Sequence, residues 1–335
     1  MGNKQKNAFQ TIKFLGDPLL ITDQHWPQNV DPLVSISCIT YNHESFIRDA
    51  IEGFLMQKTT FPVEILIHDD ASTDRTAEIV KEYEARFPQL FRCFYQPENT
   101  FSKPDKRALR KPFREARRGI YIALCEGDDY WTDPLKLQKQ VTFLEANEGY
   151  NLCCGGFIAL DFMSNKASSI IKAQENKYAE GYSFELKDTI GNWITKSLTL
   201  IYRSSAIDIN DLPPYQHFRD VHLNYHLLKE GKGYYFNCIF GVYRKHQGGI
   251  FGGINEEENL RKSLKIYKEL YEFNRDEYTR ISYLNAILSV LAYKNRNKKQ
   301  SAFSFKDKFK LCVLSFKISR KIREYFRITK KLSGL

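Results

Sequence analysis

Three carboxylates lie close together near the middle of the chain, directly after a short apolar run. They belong to the segment Glu126–Asp129, and the apolar run is Tyr121–Leu124. The run predicts a strand buried on both faces, and open α/β sheets bind ligands at the carboxyl ends of such strands. Oxygen ligands at this density suit a hard divalent cation, Mg²⁺ or Mn²⁺, which in turn suits a diphosphate. Taken alone, the segment is equally consistent with an acidic turn before a helix that opens at Asp133.

Alternating strands and helices precede this turn and must position it. The first strand is predicted at Leu33–Ile39, because its apolar, β-branched residues are typical of a central parallel strand. A helix follows, with apolar residues at helical spacing between Phe46 and Leu55. The same rhythm continues with strands predicted at Val63–Ile67 and Phe91–Tyr95 and with helical segments predicted at 76–87 and 106–118. This alternation predicts βαβ crossovers and a parallel sheet.

Three of the predicted strand ends become polar in the same way. They are Thr40–Asn42, Asp69–Asp70 and Asp128–Asp129. Because parallel strands share a direction, these ends should converge on one edge of the sheet and build one site. No G-x-G-x-x-G follows the first strand, which disfavours a dinucleotide-binding domain, and no G-x-x-x-x-G-K-[ST] is present, which excludes a P-loop ATPase.

The second half of the chain has a more mixed pattern. It predicts helices at 135–145 and 218–228, strands at 153–160, 198–202 and 234–243, and a polar loop over 161–190. From Glu256 to Tyr293 two helices with little glycine or proline predict an αα-hairpin.

Composition narrows the class of protein. The 335 residues are 42% hydrophobic and 14% aromatic, which is typical of a folded chain of about two domains. The seven cysteines include no C-x-x-C pair and lie mostly in apolar runs, which favours reduced, buried thiols over disulfides or a zinc site. Neither a signal peptide nor a run of eighteen apolar residues is visible, so we expect a cytoplasmic protein.

The net charge of +10 is concentrated at the C-terminus. Residues 294–331 contain fourteen Lys and Arg against two acids, so the rest of the chain is close to neutral. Within 303–332 the apolar residues approximate one helical stripe: Leu311, Leu314, Ile318, Ile322, Tyr325, Phe326 and Leu332. One interpretation is a basic amphipathic helix on the inner face of the cell membrane. The other is a helix packed on the body or on a partner subunit, and nucleic acid is disfavoured because no base-reading module is present.

Residues 33–253 resemble the family-2 glycosyltransferases, and in particular the bacterial enzymes that add a single sugar. Neither the Q-x-x-R-W motif nor the membrane spans of the processive synthases are visible. The resemblance implies an α/β fold of the GT-A type, with a Rossmann-like, mostly parallel central sheet flanked by helices and a C-terminal helical extension. Five segments carry it: Ile39–His43, Asp69–Asp74, Glu126–Trp131, Phe218–Asp220 and Val242–His246.

The resemblance also implies roles for single residues in binding the donor. Thr40, Tyr41 and Asp70 correspond to nucleotide contacts, whereas Asp69 is expected to hold its own turn. Asp129 and Asp128 correspond to the metal-binding aspartates, with Asp128 also near the ribose. His246 corresponds to a position that reaches the metal or diphosphate in some relatives, and its alternative is simple surface exposure.

Two further expectations concern catalysis and the sugar. Asp220 corresponds to the general base of inverting enzymes, which takes the proton of the acceptor hydroxyl; its alternative is the N-cap of the helix that follows. Trp131 and Trp193 could stack on a sugar, with Trp131 the better candidate, or lie in the core. Gly248–Gly253 could close over the donor phosphates or serve as a flexible connector.

These observations predict an inverting, metal-dependent glycosyltransferase. It would use Mn²⁺ or Mg²⁺ and a nucleotide-sugar donor, with a UDP-sugar favoured. Its acceptor would be a glycan or a lipid-linked sugar of cell-surface polysaccharide or lipopolysaccharide assembly. An inactive nucleotide-sugar-binding module docked at the membrane by its tail is the alternative. A sugar nucleotidyltransferase is disfavoured, because no glycine-rich, Arg-bearing loop follows the first strand.

The predicted domain organisation has four parts. They are an N-terminal extension at 1–31, a catalytic domain at 32–255 with a nucleotide half at 32–132 and an acceptor half at 133–255, a helical hairpin at 256–293 and a basic tail at 294–335.

Overall fold

A computed structural model describes residues 16–27, 30–101, 103, 105–162, 164, 166–170, 180–248 and 255–296. Most of the glycine-rich segment Gly248–Gly253 and the tail at 303–332 lie outside the described residues, so their predicted roles stay predictions. The chain divides into two units. The first contains the described parts of 1–185, 194–208 and 226–245; the second contains those of 186–193, 209–225 and 246–335. The predicted boundaries at residues 32, 133, 256 and 294 stay predictions.

Strands dominate the first unit. In chain order they are β1 Leu19–Leu20, β2 Val34–Thr40, β3 Lys58–Thr59, β4 Val63–Asp69, β5 Phe91–Tyr95, β6 Tyr121–Leu124, β7 Tyr130–Trp131, β8 Tyr150–Asp161, β9 Lys166–Ile170, β10 Gly181–Phe184, β11 Ile201–Arg203 and β12 Lys232–Lys245. The helices of the described chain are α1 Ile47–Leu55, α2 Thr76–Arg86, α3 Lys106–Leu109, α4 Lys111–Glu115, α5 Lys136–Ala146, α6 Asp220–Lys229, α7 Glu256–Asn274 and α8 Glu277–Arg296.

The central sheet has the order β10-β12-β8-β11-β6-β2-β4-β5. Its strands β6, β2, β4 and β5 are all parallel, as the βαβ rhythm predicts. Beyond β6 the sheet becomes mixed, because β11 runs antiparallel to both β6 and β8. The strands β2 and β4 are buried along nearly their whole length, and their apolar residues lie in the core. Buried polar residues are also present and are paired, as where Ser35 donates to Glu64 at 2.6 Å. Their shared register ends with Thr40 opposite Asp69, so their polar ends lie side by side.

Two segments differ from the sequence-based expectation. The predicted loop at 161–190 contains β9 and β10, which pair antiparallel with the long strands β8 and β12. These strands have only five and four residues, too few for a clear apolar pattern, and pairing with a neighbour decides their structure. The predicted helical segment at 106–118 is divided into α3 and α4, and Pro112 lies in the first turn of α4. Proline has no amide hydrogen, so it favours a new helix start at this point.

The second unit contains the predicted αα-hairpin of α7 and α8. Asn255 caps α7 by accepting the Glu258 amide at 2.9 Å, and Arg275 ends the helix in a left-handed conformation with φ 56°. None of the helices in the described part of the chain is both long enough and apolar enough to cross a membrane. The described cysteines are free thiols, and most are buried.

Candidate active site

The carboxyl ends of β2, β4 and β6 meet at one edge of the sheet. The Asp70 amide donates to the Thr40 carbonyl oxygen at 3.0 Å, and the Gly127 amide donates to the Ile39 carbonyl oxygen at 3.0 Å. These bonds fix the acidic turn after β6 beside the polar ends of β2 and β4. The structure therefore brings Thr40, Asp70 and the acidic turn together.

Gly127 makes this close approach possible. A Cβ at this position would lie 2.6 Å from Thr40 Oγ1 and 3.0 Å from Ile47 Cδ1. Any side chain would therefore push the acidic turn away from the end of β2, which explains the glycine between the carboxylates.

The loop after β2 is joined to the loop after β4 by side chain-to-backbone hydrogen bonds. Asn42 adopts a left-handed conformation with φ 52°, which asparagine tolerates better than most residues. Its amide donates to Ser72 Oγ at 2.9 Å, and its Oδ1 accepts the Thr73 amide at 2.8 Å. Asp69 accepts the Ser72 amide at 3.0 Å. Asp69 thus holds its own turn, in agreement with the role that the resemblance implies.

The acidic turn forms a compact cluster of carboxylates. One oxygen from each of Glu126, Asp128 and Asp129 lies within 4.8 Å of the others. Asp129 is fully buried, and its Oδ1 accepts the Arg244 amide at 2.9 Å. Within the described part of the chain, its Oδ2 has no hydrogen-bond donor. Burial, followed by the negative charges of Asp128 and Glu126, raises the pKa of Asp129 well above its ordinary value.

These residues fit a divalent cation. A buried carboxylate oxygen without a donor is costly unless a positive charge compensates it. Hard cations such as Mg²⁺ and Mn²⁺ prefer carboxylate oxygens as ligands. Asp129 and Asp128 would hold the ion, with Glu126 as a third carboxylate that the sequence placed in the cluster without assigning it a role.

His43 is a member of this site that the sequence-based assignment missed. Its Nδ1 lies 3.1 Å from Thr40 Oγ1, and its Nε2 lies 3.8 Å from Asp128 Oδ2. Its backbone amide donates to Thr76 Oγ1 at 2.7 Å, which fixes the loop that carries it. The imidazole therefore links the end of β2 to the acidic turn. The signal was present in the segment Ile39–His43, but a single histidine in a polar loop does not reveal its partner.

Asp70 lies below the surface, whereas its predicted fellow nucleotide contact Tyr41 is exposed. Asp70 accepts the Thr100 amide at 2.9 Å and forms an ion pair with Arg110 at 2.7 Å. Burial opposes its ionisation, but the bonds from Thr100 and the charge of Arg110 outweigh burial and lower the pKa of Asp70. The residue Tyr41 is 41% exposed, so a planar base could stack on its ring.

The two candidate tryptophans have opposite environments. Trp131 is 1% exposed, and its indole N–H donates to the Leu198 carbonyl oxygen at 2.7 Å. The Phe54 ring lies 4.9 Å from it, and Lys136 Nζ lies 4.1 Å from its ring centroid. These contacts support the core role for Trp131, because its surface is covered by protein. Trp193, in the second unit, is 46% exposed.

Two cations lie near the acidic turn, and neither was identified from the sequence. The Arg244 guanidinium is buried against Phe46 and Tyr130, with one nitrogen 2.8 Å from Asp49. Lys196 Nζ lies 3.4 Å from the centroid of the Tyr243 ring. Within the described chain Lys196 forms no ion pair, and its charge acts to lower the pKa of Asp129. Both cations come from distant parts of the sequence, so spacing alone could not connect them with the turn.

Asp220 and His246 belong to the second unit. Asp220 is the first residue of α6, and its Oδ1 accepts the Val221 amide at 3.0 Å. Their predicted roles as general base and metal or diphosphate ligand remain predictions.

Residues 35–197 match the glycosyl transferase family 2 model. This segment is therefore a glycosyl transferase family 2 domain. The matched segment contains the parallel strands, the acidic turn and Lys196, and ends before Asp220.

Curated relatives agree with this assignment. The chain is 27% identical over 243 residues to a putative teichuronic acid biosynthesis glycosyltransferase, TuaG, of Bacillus subtilis, covering 72% of this chain and 90% of the relative. It is 28% identical over 239 residues to WfaP of Escherichia coli, a UDP-Glc:α-D-GlcNAc-diphosphoundecaprenol β-1,3-glucosyltransferase, covering 70% and 87%. An uncharacterised protein of Mycobacterium tuberculosis is 52% identical over 120 residues, 36% of this chain, and the match spans about a third (34%) of that protein.

Solved structures confirm the fold. TarS residues 1–349 of S. aureus, determined with UDP-GlcNAc, superposes with a TM-score of 0.62 at 17% identity, covering 85% of this chain and 81% of TarS. The mannosyltransferase PcManGT of Pyrobaculum calidifontis, determined with GDP-Man and Mn²⁺, gives 0.52 at 15% identity, covering 98% and 90%. Because both sequence identities are low, the likeness establishes the fold alone, an α/β fold of the GT-A type.

Proposed function

We propose that this chain is an inverting, metal-dependent glycosyltransferase that moves one sugar from a nucleotide-diphosphate donor to a glycan or lipid-linked acceptor. The observation that carries the proposal is the acidic turn of a family-2 fold, where buried Asp129 keeps an oxygen without a donor beside two further carboxylates. An anionic diphosphate could approach such a cluster only with a cation to compensate the negative charges.

The donor is proposed to be a UDP-sugar bound at the strand ends. TarS was determined with UDP-GlcNAc and PcManGT with GDP-Man and Mn²⁺, which supports a nucleotide sugar and a divalent ion. Exposed Tyr41 would stack on the base, and Thr40 and Asp70 would complete the nucleotide contacts. Asp70 would contact the nucleotide while it stays paired with Arg110, so we expect both side chains to affect which base is bound. Asp129, Asp128 and His246 would hold Mn²⁺ or Mg²⁺, which when bound neutralises charge on the diphosphate.

Asp220 is proposed to act as the general base. Inverting transfer requires one carboxylate that accepts the proton of the acceptor hydroxyl as that oxygen attacks the anomeric carbon. Asp220 lies at the start of α6, where its carboxylate also bonds the Val221 amide.

The acceptor is proposed to be a sugar of cell-surface polysaccharide assembly, either free glycan or lipid-linked. Two observations support this class: TuaG is named for teichuronic acid biosynthesis, and WfaP for a diphosphoundecaprenol-linked sugar. A lipid-linked acceptor would bring the enzyme to the inner face of the cell membrane. The basic tail at 303–332 would then bind the anionic surface.

A screen for the donor comes first. Nucleotide sugars with and without Mn²⁺ are tested for an increase in melting temperature, since selective binding stabilises the folded state by mass action. We expect one nucleotide class to stabilise the protein, and only with the metal. Transfer to lipid-linked and free glycan acceptors is then measured with that donor.

The decisive variant is Asp220→Asn, with Asp211→Asn as the matched control. Asp211 is an exposed carboxylate in the same unit. We expect Asp220→Asn to abolish transfer and retain donor binding, and Asp211→Asn to retain both. If the wild-type protein binds donor and metal but transfers sugar to no acceptor, the hypothesis of an inactive binding module is favoured over that of an enzyme.

A further inference from the structure

The segment that carries Asp220 is held by a carboxylate of the helical hairpin. Glu269, in α7, accepts two consecutive backbone amides of this segment with its two oxygens. One is the amide of Gln216 and the other, at 2.9 Å, is that of His217. Hydrogen bonds from backbone amides to an ionised carboxylate are stronger than neutral ones. Glu269 therefore fixes the chain three and four residues before the proposed base.

The same carboxylate faces a buried histidine on the other side of Asp220. His222 is fully buried, and its Nε2 lies 3.8 Å from a Glu269 oxygen. Its Nδ1 accepts the Arg219 amide at 3.1 Å, which assigns the ring proton to Nε2, the nitrogen that faces Glu269. Tyr215 and Phe218 pack on the imidazole, with ring centroids at 4.3 and 5.6 Å. Glu269 therefore binds the backbone that precedes Asp220 and faces the side chain of His222, which follows it.

Two further bonds attach the same segment to the hairpin. Asn274 donates to the Tyr215 hydroxyl at 2.8 Å, and the Tyr225 hydroxyl donates to Asp276. Asp276 also accepts the Thr279 amide at 2.8 Å, at the start of α8. Residues 215–225 are consequently bound at both ends to α7 and to the turn that follows it.

We infer that Glu269 is a positioning residue for Asp220, acting through the 216–222 backbone and without contact with substrate. The inference rests on the proposed role of Asp220 as general base. It assigns the hairpin a part in catalysis, although the hairpin lies beyond the segment that matches the family. A base must lie within hydrogen-bond reach of the proton it accepts, so a small displacement of its backbone lowers the rate.

The test compares Glu269→Ala and Glu269→Gln with Glu272→Ala. Glu272 is a matched control because it lies in the same helix, is 45% exposed and pairs with Lys268 on the surface. Transfer kinetics, donor affinity and amide hydrogen exchange of residues 216–222 are measured for each protein. We expect Glu269→Ala to lower kcat about tenfold to a hundredfold, with donor Kd within about twofold of the wild type. Exchange of the Gln216 and His217 amides should rise about tenfold or more, because both lose their acceptor.

Two further variants distinguish a role of Glu269 in positioning Asp220 from a role in general stability. Glu269→Gln keeps one carbonyl acceptor and should recover part of kcat, and it carries the test if Glu269→Ala does not fold. In an Asp220→Asn background, any trace of transfer that is still detectable should change less than about twofold on Glu269→Ala, since residues that act as a unit are not additive. An unchanged kcat with faster exchange, or equal losses of kcat and donor binding, would overturn the inference.

Failure of the proposed function gives a different result. In that case the wild-type protein transfers no sugar, or Asp220→Asn transfers as well as the wild type. Glu269 then has no base to position, and the catalytic part of the inference is rejected. The exchange measurement still decides whether Glu269 holds the segment.

Discussion

The acidic turn of the first unit and the Asp220 segment of the second are held in place by different means. The turn is fixed by backbone hydrogen bonds between neighbouring strand ends and by the small size of Gly127. The Asp220 segment is fixed mainly by the side chains of Glu269, Asn274 and Asp276. Local pattern is therefore enough to locate the first region, whereas the second depends on residues about fifty positions further along the chain.

Asp129→Asn should separate chemistry from architecture in the first region, and it has the largest expected effect. The amide oxygen of asparagine can still accept the Arg244 amide, so the fold should be kept while a charged metal ligand is lost. We expect Mn²⁺ binding to fall below detection by calorimetry and transfer to drop about a thousandfold or more.

Asp133→Asn is the control for Asp129→Asn, because its carboxylate pairs with Lys139 instead of belonging to the cluster. Donor binding should weaken in Asp129→Asn but not in Glu269→Ala, which keeps the two regions distinct. Normal Mn²⁺ affinity in Asp129→Asn would refute the metal site.

Replacing each candidate tryptophan tests whether Trp131 is buried and Trp193 is half-exposed, as the structure shows. Trp131→Ala removes a fully buried ring and should lower the free energy of unfolding by about 3–5 kcal/mol. Trp193→Ala removes a half-exposed ring and should change it by less than about 0.5 kcal/mol. Urea unfolding of both variants measures the difference, and comparable losses would contradict it.

The same contrast explains what could be predicted from sequence. The parallel strands, the convergence of Thr40 with Asp70, and the αα-hairpin follow from apolar patterning and from the direction that parallel strands share. Burial of Trp131 does not follow, because a tryptophan beside an acidic turn has the same sequence whether its ring faces a ligand or the core. His43, Lys196 and Arg244 were not assigned because their partners come from other strands and loops. Glu269 gives no signal, since a glutamate in an amphipathic helix is usually solvated.

A buried lysine should give the first unit a pH dependence of its own. Lys136 is fully buried against Trp131 and donates to Gln140 at 2.8 Å. Burial lowers its pKa from 10.5 to about 8. Between these values Lys136 is protonated in the unfolded chain and neutral in the folded one, so its own contribution to stability rises with pH. The buried thiols of Cys125 and Cys153 contribute in the opposite direction, because burial raises their pKa above the ordinary value of 9.0. The shift means that the charged Lys136 lowers the free energy of unfolding by about 3 kcal/mol at pH 7. A Lys136→Met variant would recover this energy, less about 1 kcal/mol because the Gln140 oxygen loses its hydrogen-bond donor.

Lys136→Met should thus be about 2 kcal/mol more stable than the wild type at pH 7, and this difference should shrink above pH 8, as Lys136 of the folded wild type loses its proton. Lys139→Met, on the exposed side of the same helix, should show no such pH-dependent difference from the wild type. Urea unfolding of the three proteins at about pH 7 and about pH 10 makes the measurement. A difference between Lys136→Met and the wild type that stays constant with pH would contradict the lowered pKa of Lys136.

Among the variants of the first unit that are not controls, Lys196→Met should have the smallest effect. The ammonium group lies on the Tyr243 ring, next to the residue whose amide bonds Asp129. It has no ion-pair partner in the described part of the chain, so a bound diphosphate is the anion that would benefit from it. We expect affinity for the nucleoside diphosphate to fall about tenfold, about 1.4 kcal/mol, and affinity for the uncharged nucleoside to stay the same.

Lys245→Met is the control for Lys196→Met, because Lys245 is exposed and already pairs with Asp161. Calorimetric titration with both ligands in the presence of Mn²⁺ makes the measurement. Equal losses for nucleoside and diphosphate would mean that Lys196 supports the loop around it, as Glu269 supports its segment, instead of the ligand. The diphosphate-specific loss would instead make Lys196 a direct contributor to donor binding, through a cation that only the folded structure connects with the acidic turn.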